Sequence, residues 1–173
     1  MDPSGSVGRL GRPGWPEWLD RYARDEDAQS LVEFALTLPL FLLVVTGLFD
    51  VGRAVWQENT LAYAAREGTR YAIVHGSAGL PPVGPCTTHP CPSSGTEFTN
   101  RNLQLIVDAV RNNAIGVYNI AVTIDYLTLN NNGRNQSVSV DATSPFIPLP
   151  SQYLLGGAFQ ITLRGGSQLV IQR

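Results

Sequence analysis

The spacing of apolar residues along the chain changes period several times, and each change predicts a new element. Over the first half of residues 1–27 there is no period at all. Glycine, proline and charge dominate there, which predicts a disordered tail. Trp18, Leu19, Tyr22 and Ala23 then recur at helical spacing, so the end of this stretch is either a short amphipathic turn on a membrane surface or an unstructured leader. A secretory signal peptide is not expected, because no basic start runs directly into an apolar block.

From Leu31 to Phe49 the chain is apolar apart from Glu33, Thr37, Pro39, Thr46 and Gly47. A helix needs about 20 such residues to cross the hydrocarbon of a bilayer. This run narrowly meets that length and predicts a single-pass anchor. Beyond Asp50 an apolar face continues through Val51, Val55, Ala62, Ala65 and Ala72, with Glu67 and Arg70 pairing at i,i+3 on the opposite side. One helix over 29–74 is predicted, roughly 65–70 Å long, apolar all round in its first half and amphipathic in its second. Pro39 removes one backbone hydrogen bond, to the carbonyl of Ala35, and predicts a kink. Thr37 is near enough to be considered for that freed carbonyl, without being assigned to it.

Residues 76–97 hold five prolines and predict a loop. In TNRNLQLIVDAVRNNAIG, Leu103, Val107, Val110 and Ala114 share a face, with Thr99 or Asn100 as the cap and Gly116 as the stop. This is a second, shorter helix. The period then falls to two. Ile120, Val122, Ile124 and Tyr126 alternate, NNNGRN turns the chain, and Val138, Val140 and Ala142 alternate against Ser137, Ser139 and Asp141. A crossing through Pro145, Pro148 and Pro150 and a break at Gly156-Gly157 lead to a last segment. Its Gly165-Gly166 pair either turns a hairpin or bulges one long strand. The fold class predicted is α+β, with a long N-terminal transmembrane and spine helix, a second helix and a small antiparallel sheet of three to four strands. The domain division is a leader over 1–28, the spine over 29–74 and an extracytoplasmic head over 75–173.

Composition narrows the function. Charged residues are 15% of the 173, the net charge is −2, and twelve arginines with no lysine carry all the positive charge. No basic stripe is present, so no nucleic-acid partner is expected. The missing lysine excludes the phosphate-binding lysine of P-loops and every Schiff-base mechanism. Cys86 and Cys91 close a short disulfide ring, stay free thiols, or join His89 and His75 at a metal. The disulfide is expected, since the metal reading has no convincing fourth ligand and an exported location favours oxidation. Cys86 with His89 as a catalytic pair has no evident orienting group and no rigid platform. Glu97, Asp108, Asp125 and Asp141 are spread without acid–base spacing and read as surface residues. Trp56 either anchors at the lipid boundary or packs under the head, and His75 reads as merely polar. NQS at 135–137 fits a glycosylation acceptor, but the neighbouring asparagines and Gly133 fit turn chemistry better. No enzyme activity and no cofactor are expected.

The order of parts, with VEFALTLPLFLL at 32–43, GLFDVGRAVWQ at 47–57 and AAREGTRYA at 64–72, resembles the TadE/TadG-like minor pseudopilins of tight-adherence pilus systems, which are type IV pilin-like. The shortness of the chain leans to the TadE side. The resemblance implies a pilin-like fold and a prepilin peptidase that cuts before the apolar segment, here between Ala28 and Gln29. It makes Glu33 the fifth residue of the mature chain. The new α-amino group of Gln29 would then pair with a carboxylate of a neighbouring subunit. Two unit charges roughly 4 Å apart attract by about 4 kcal/mol at an effective dielectric of about 20. That is comparable to the ~2.5–3.5 kcal/mol penalty for an acidic residue at the centre of a membrane helix. Glu33, with Leu31 and Phe34, is thus expected in subunit assembly. The partners implied are prepilin peptidase, other pilin or pseudopilin subunits, Tad assembly proteins and the lipid bilayer. The implied location is the cytoplasmic membrane, N-terminus in and head outside, with incorporation in an extracellular pilus as a later stage. The alternative is a signal-anchored binding domain that is never cut and never polymerises.

Overall fold

The computed structural model describes residues 26–154 and 156–172. The expectations for the leader, including the amphipathic turn around Trp18 to Ala23, lie outside the described residues. The elements, in chain order, are α1 (Glu26–Val74), α2 (Thr96–Asn100), α3 (Leu103–Asn113), β1 (Ala121–Tyr126), β2 (Ser137–Phe146), α4 (Leu149–Leu154) and β3 (Ile161–Val170). The architecture is α+β, as the patterning predicts. Two compact units divide at Val45 and Thr46, within the length of α1.

In the first unit, the side chains of α1 from Gln29 to Val44 are exposed, large aliphatics included. Pro39 lies inside the helix without ending it. The Thr37 hydroxyl donates to the carbonyl of Glu33 at 2.7 Å, so it does not serve the Ala35 carbonyl that proline frees.

In the second unit β1, β2 and β3 form one antiparallel sheet in that spatial order. Its core joins Leu61, Ala65 and Ala72 of α1 to Leu103, Ile106 and Val110 of α3 and to Ile124, Tyr126, Val138, Val140 and Ala142 of the strands. The α3 face predicted from sequence, Leu103, Val107, Val110 and Ala114, is buried throughout. Small residues set how closely the layers approach. Gly165 lies against the backbone of Leu61 and Ala62, where any Cβ would collide, and a Cβ at Gly68 would collide with Val110. The Thr69 hydroxyl, buried at this seam, donates to the Ala65 carbonyl at 2.8 Å and approaches that of Ser167 at 3.3 Å.

The structure corrects four expectations. The face of α1 turned to the head is not the Val51–Val55 line, since both valines are exposed. It runs through Asp50, Ala54, Gln57, Leu61, Ala64, Ala65, Gly68 and Ala72, so Ala65 and Ala72 of the predicted line are buried as expected while the line through Val51 and Val55 lies one position off. Alanine, glycine and threonine win that face because bulkier side chains would hold the sheet away. Secondly, the segment after the loop is two helices. Asn102 takes a left-handed conformation (φ 56°) between them and its amide donates to the Pro82 carbonyl at 2.9 Å, so neither Thr99 nor Asn100 caps α3. Thirdly, the proline-rich crossing is shorter than expected. Pro145 is inside β2, beyond the end of the β1 register at Thr143, where only β3 adjoins the strand and one side needs no ladder bond. Pro150 sits in the first turn of α4, where a missing N–H leaves no helical bond unmade. Finally, Gly165-Gly166 neither turns nor bulges. The β2–β3 register runs unbroken through both, and the glycines answer packing demands on the two faces.

Candidate functional site

The residues singled out for assembly lie in the first turns of α1. Gln29 follows Ala28 within the helix, and Leu31, Glu33 and Phe34 are exposed on its surface, Leu31 by 69% and Phe34 by 64%. Each large apolar side chain between Leu31 and Val44 faces outward in the same way. Nothing in a soluble fold stabilises that arrangement, and a lipid or protein environment would. The helix is long and apolar enough to cross a membrane, and none of its most apolar stretch is buried. Glu33 is the one ionisable residue between Gln29 and Phe49.

Asp50 ends this apolar run and begins the head. Its carboxylate is buried, accepts the backbone N–H of Leu149 at 2.6 Å and lies 3.3 Å from the Arg53 guanidinium. Arg53 in turn sits over the Phe146 ring, 5.2 Å from its centroid. Sequence reasoning took Asp50 only as the end of the membrane run. The signal that could have found it is an acidic residue at i with arginine at i+3, directly after a span, on the stripe of the head.

At the other end of the head, Cys86 and Cys91 are joined at a Cα separation of 5.4 Å, both buried. That removes the thiol from the Cys86/His89 pairing considered from sequence. The His89 ring contacts Asp125 instead, a pair not anticipated because 36 residues separate the two. Both are substantially exposed, and no nucleophile belongs to them. The Cys91 N–H donates to the Ile124 carbonyl at 2.9 Å, so the ring covers part of the open edge of β1. Glu97 accepts from the backbone and hydroxyl of Thr87 at 2.8 and 2.9 Å, which ties α2 to the same loop. The asparagine run does make turn contacts, with Asn131 accepting the Gly133 N–H at 2.9 Å. Asn132 is different: it is buried and donates to the Val83 carbonyl at 2.8 Å. The Tyr126 hydroxyl reaches the same carbonyl at 3.3 Å, and burial pushes its pKa well above the ordinary tyrosine value. On the solvent face, Asp141 pairs with Arg164 at 3.0 Å and raises the arginine pKa further. His75 stacks on Tyr71 with centroids 4.1 Å apart. Among the described residues no three of His, Cys, Asp and Glu converge as a metal site.

The geometry thus separates an exposed apolar helix bearing one carboxylate from a head built of small packing contacts. Residues 28–70 match the family model described as TadE-like protein. No curated protein and no solved structure gives a significant match. The matched segment holds Glu33, the apolar run, Asp50, Arg53 and most of the small-residue stripe, and over that segment the chain is similar to the TadE-like family.

Proposed function

We propose that this chain is a non-enzymatic structural subunit, pseudopilin-like, that works in the assembly of a Tad-type pilus or secretion apparatus used in adhesion. The observation that carries the reading is the outward-facing apolar half of α1 with Glu33 in its second turn, inside the segment that matches the TadE-like family. Prepilin peptidase removes the leader between Ala28 and Gln29. The subunit then waits in the cytoplasmic membrane with its N-terminus in and its head outside. The Glu33 carboxylate pairs with the α-amino group of Gln29 in a neighbouring subunit, and Leu31 and Phe34 pack around the pair. In hydrocarbon, one such charge pair fixes register, because an unpaired carboxylate is the costlier state.

The N-terminus of the protein recovered from native membranes tests this directly. A mature chain starting at Gln29 is expected by intact mass. A chain keeping its leader while the peptidase is active would replace the reading with an uncut, signal-anchored binding domain. In a strain that assembles the apparatus, Glu33→Ala is expected to leave the subunit in the membrane but lower its incorporation by an order of magnitude or more. That follows from about 2 kcal/mol or more lost when one partner of a buried pair is removed.

A further inference from the structure

The aromatic residues exposed on the head are not spread evenly. In the unit that begins at Thr46, the exposed rings are Phe49, Trp56, Tyr63, Tyr118, Tyr153 and Phe159, with Tyr63 two turns further along α1 than Trp56 and outside the group described next. Contacts gather Trp56, Tyr118, Tyr153 and Phe159 at one end. Gly116 lies against the Trp56 ring, where a Cβ would stand 2.7 Å away, so the segment that carries the exposed Ile115 and Tyr118 passes beside Trp56. The Tyr118 carbonyl accepts the Ser144 hydroxyl at 2.7 Å, two residues before the Phe146 ring under Arg53. Asp50 holds the first residue of α4, the helix that carries Tyr153, and Ser151 of that helix bonds both backbone groups of Phe159. The opposite end exposes Leu80, Leu127 and Leu129 but, among the described residues, no aromatic ring.

The level of this end is set by residues next to it in α1. Leu48 and Phe49 are exposed and close the apolar run, and Asp50 and Arg53 follow. The headgroup layer outside the hydrocarbon is about 5–7 Å deep, a rise of about four residues of helix. Asp50 to Arg53 therefore occupy that layer when Phe49 is the last residue in hydrocarbon. Trp56 is one turn higher, but helical side chains lean toward the N-terminus, and its ring lines a groove of about 350 Å³ with Leu48, Phe49, Gly52 and Arg53. Tryptophan and tyrosine favour this layer, since one part of each ring is apolar and the other bonds water or headgroups.

We propose that Trp56, Ile115, Tyr118, Tyr153 and Phe159 form a collar that seats the head in the headgroup layer of the bilayer. The inference rests on the reading of α1 as a membrane span. A lipid surface suits the collar better than a second copy of the chain for two reasons. The collar is continuous with the apolar run at Phe49, and none of its five side chains is charged. Its binding is therefore apolar in origin and insensitive to salt.

Single cysteines introduced into the full chain can be labelled selectively, because the two native cysteines are bonded to each other. The labelled variants are Phe41→Cys in the span, Tyr118→Cys and Tyr153→Cys in the collar, and Thr88→Cys at the far end. Each is reconstituted in phosphatidylcholine vesicles with a nitroxide on either the headgroup or the acyl chain. Emission at 118 and 153 is expected to fall with the headgroup quencher, in low and high salt alike. Emission at 41 is expected to fall with the chain quencher, and at 88 with neither. Quenching at 41 without quenching at 118 and 153 overturns the collar and leaves the span standing. No quenching at 41 overturns both. Unquenched 118 and 153 labels that crosslink to a second copy overturn the lipid assignment in favour of a protein contact.

Discussion

Asp50 bonds two parts of the head that the sequence keeps about a hundred residues apart. It accepts from the first residue of α4 and pairs with Arg53 one turn along its own helix. Because the carboxylate is buried, Asp50→Ala leaves the Leu149 N–H without its acceptor. The expected loss is about 2 kcal/mol of head stability, read as a lowered urea midpoint, while Asp50→Asn, which keeps an acceptor, loses less. Tyr126 gives a second test, in pH. Its folded pKa is raised by burial, so the native head holds that proton more tightly than the unfolded chain does. The stabilisation is complete below the ordinary tyrosine value of about 10 and is lost as the pH climbs beyond it. A stability curve that falls above about pH 10 is expected, and Tyr126→Phe should flatten it. Glu33 was visible in the sequence because a carboxylate in an apolar run stands out alone. Asp50, His89 with Asp125, and Asn132 were not, since each is defined by a partner 36 or more residues away.

Elements were more legible than contacts. Period 3.6 gave α1 to its end at Val74 and the buried face of α3, and period two gave the alternation of β1 and β2. The period placed Ala65 and Ala72 on the buried side of α1 but not the start of that face, where Val51 and Val55 are exposed. Valine is read as core and glycine as a weakness, yet here the valines are outside and Gly68 is inside. The seam between α1 and β3 is set by closeness rather than by apolar area. Gly165→Ala should therefore cost about 1–3 kcal/mol by forcing backbones apart, whereas Val55→Ser should stay within about 0.5 kcal/mol. Denaturation of the two variants side by side separates these readings. The turn signals were half right for a similar reason. Prolines and glycines mark breaks only where the backbone needs them, and β2 admits Pro145 because β1 has already ended. The short Cys86–Cys91 ring is a local device at the open edge of β1, and reducing it should remove about 2 kcal/mol on the loop-entropy account.

For the whole molecule, the family match and the fold speak of different parts. Residues 28–70 carry the TadE-like match, while the sheet and α3 lie beyond it. An apolar helix repeats a simple requirement that many sequences meet in recognisable form. A head surface answers to whatever it touches, and it leaves little that a sequence alone can identify. The chain as a whole is expected to stay in the membrane pellet after high-salt washing and to leave it only with detergent, since its anchor is apolar rather than charged.

The burial of α1 inside the head also decides where the protein can be cut. Leu61 to Ala72 supply core side chains of the head, while Leu48, Phe49 and Val51 supply none. A protease that cleaves before Phe49 would release the head with Asp50 and its contacts intact. One that cleaves a few turns later, past Leu61, would destroy what it released. Shedding and degradation of this protein are thus separated by about a dozen residues of one helix.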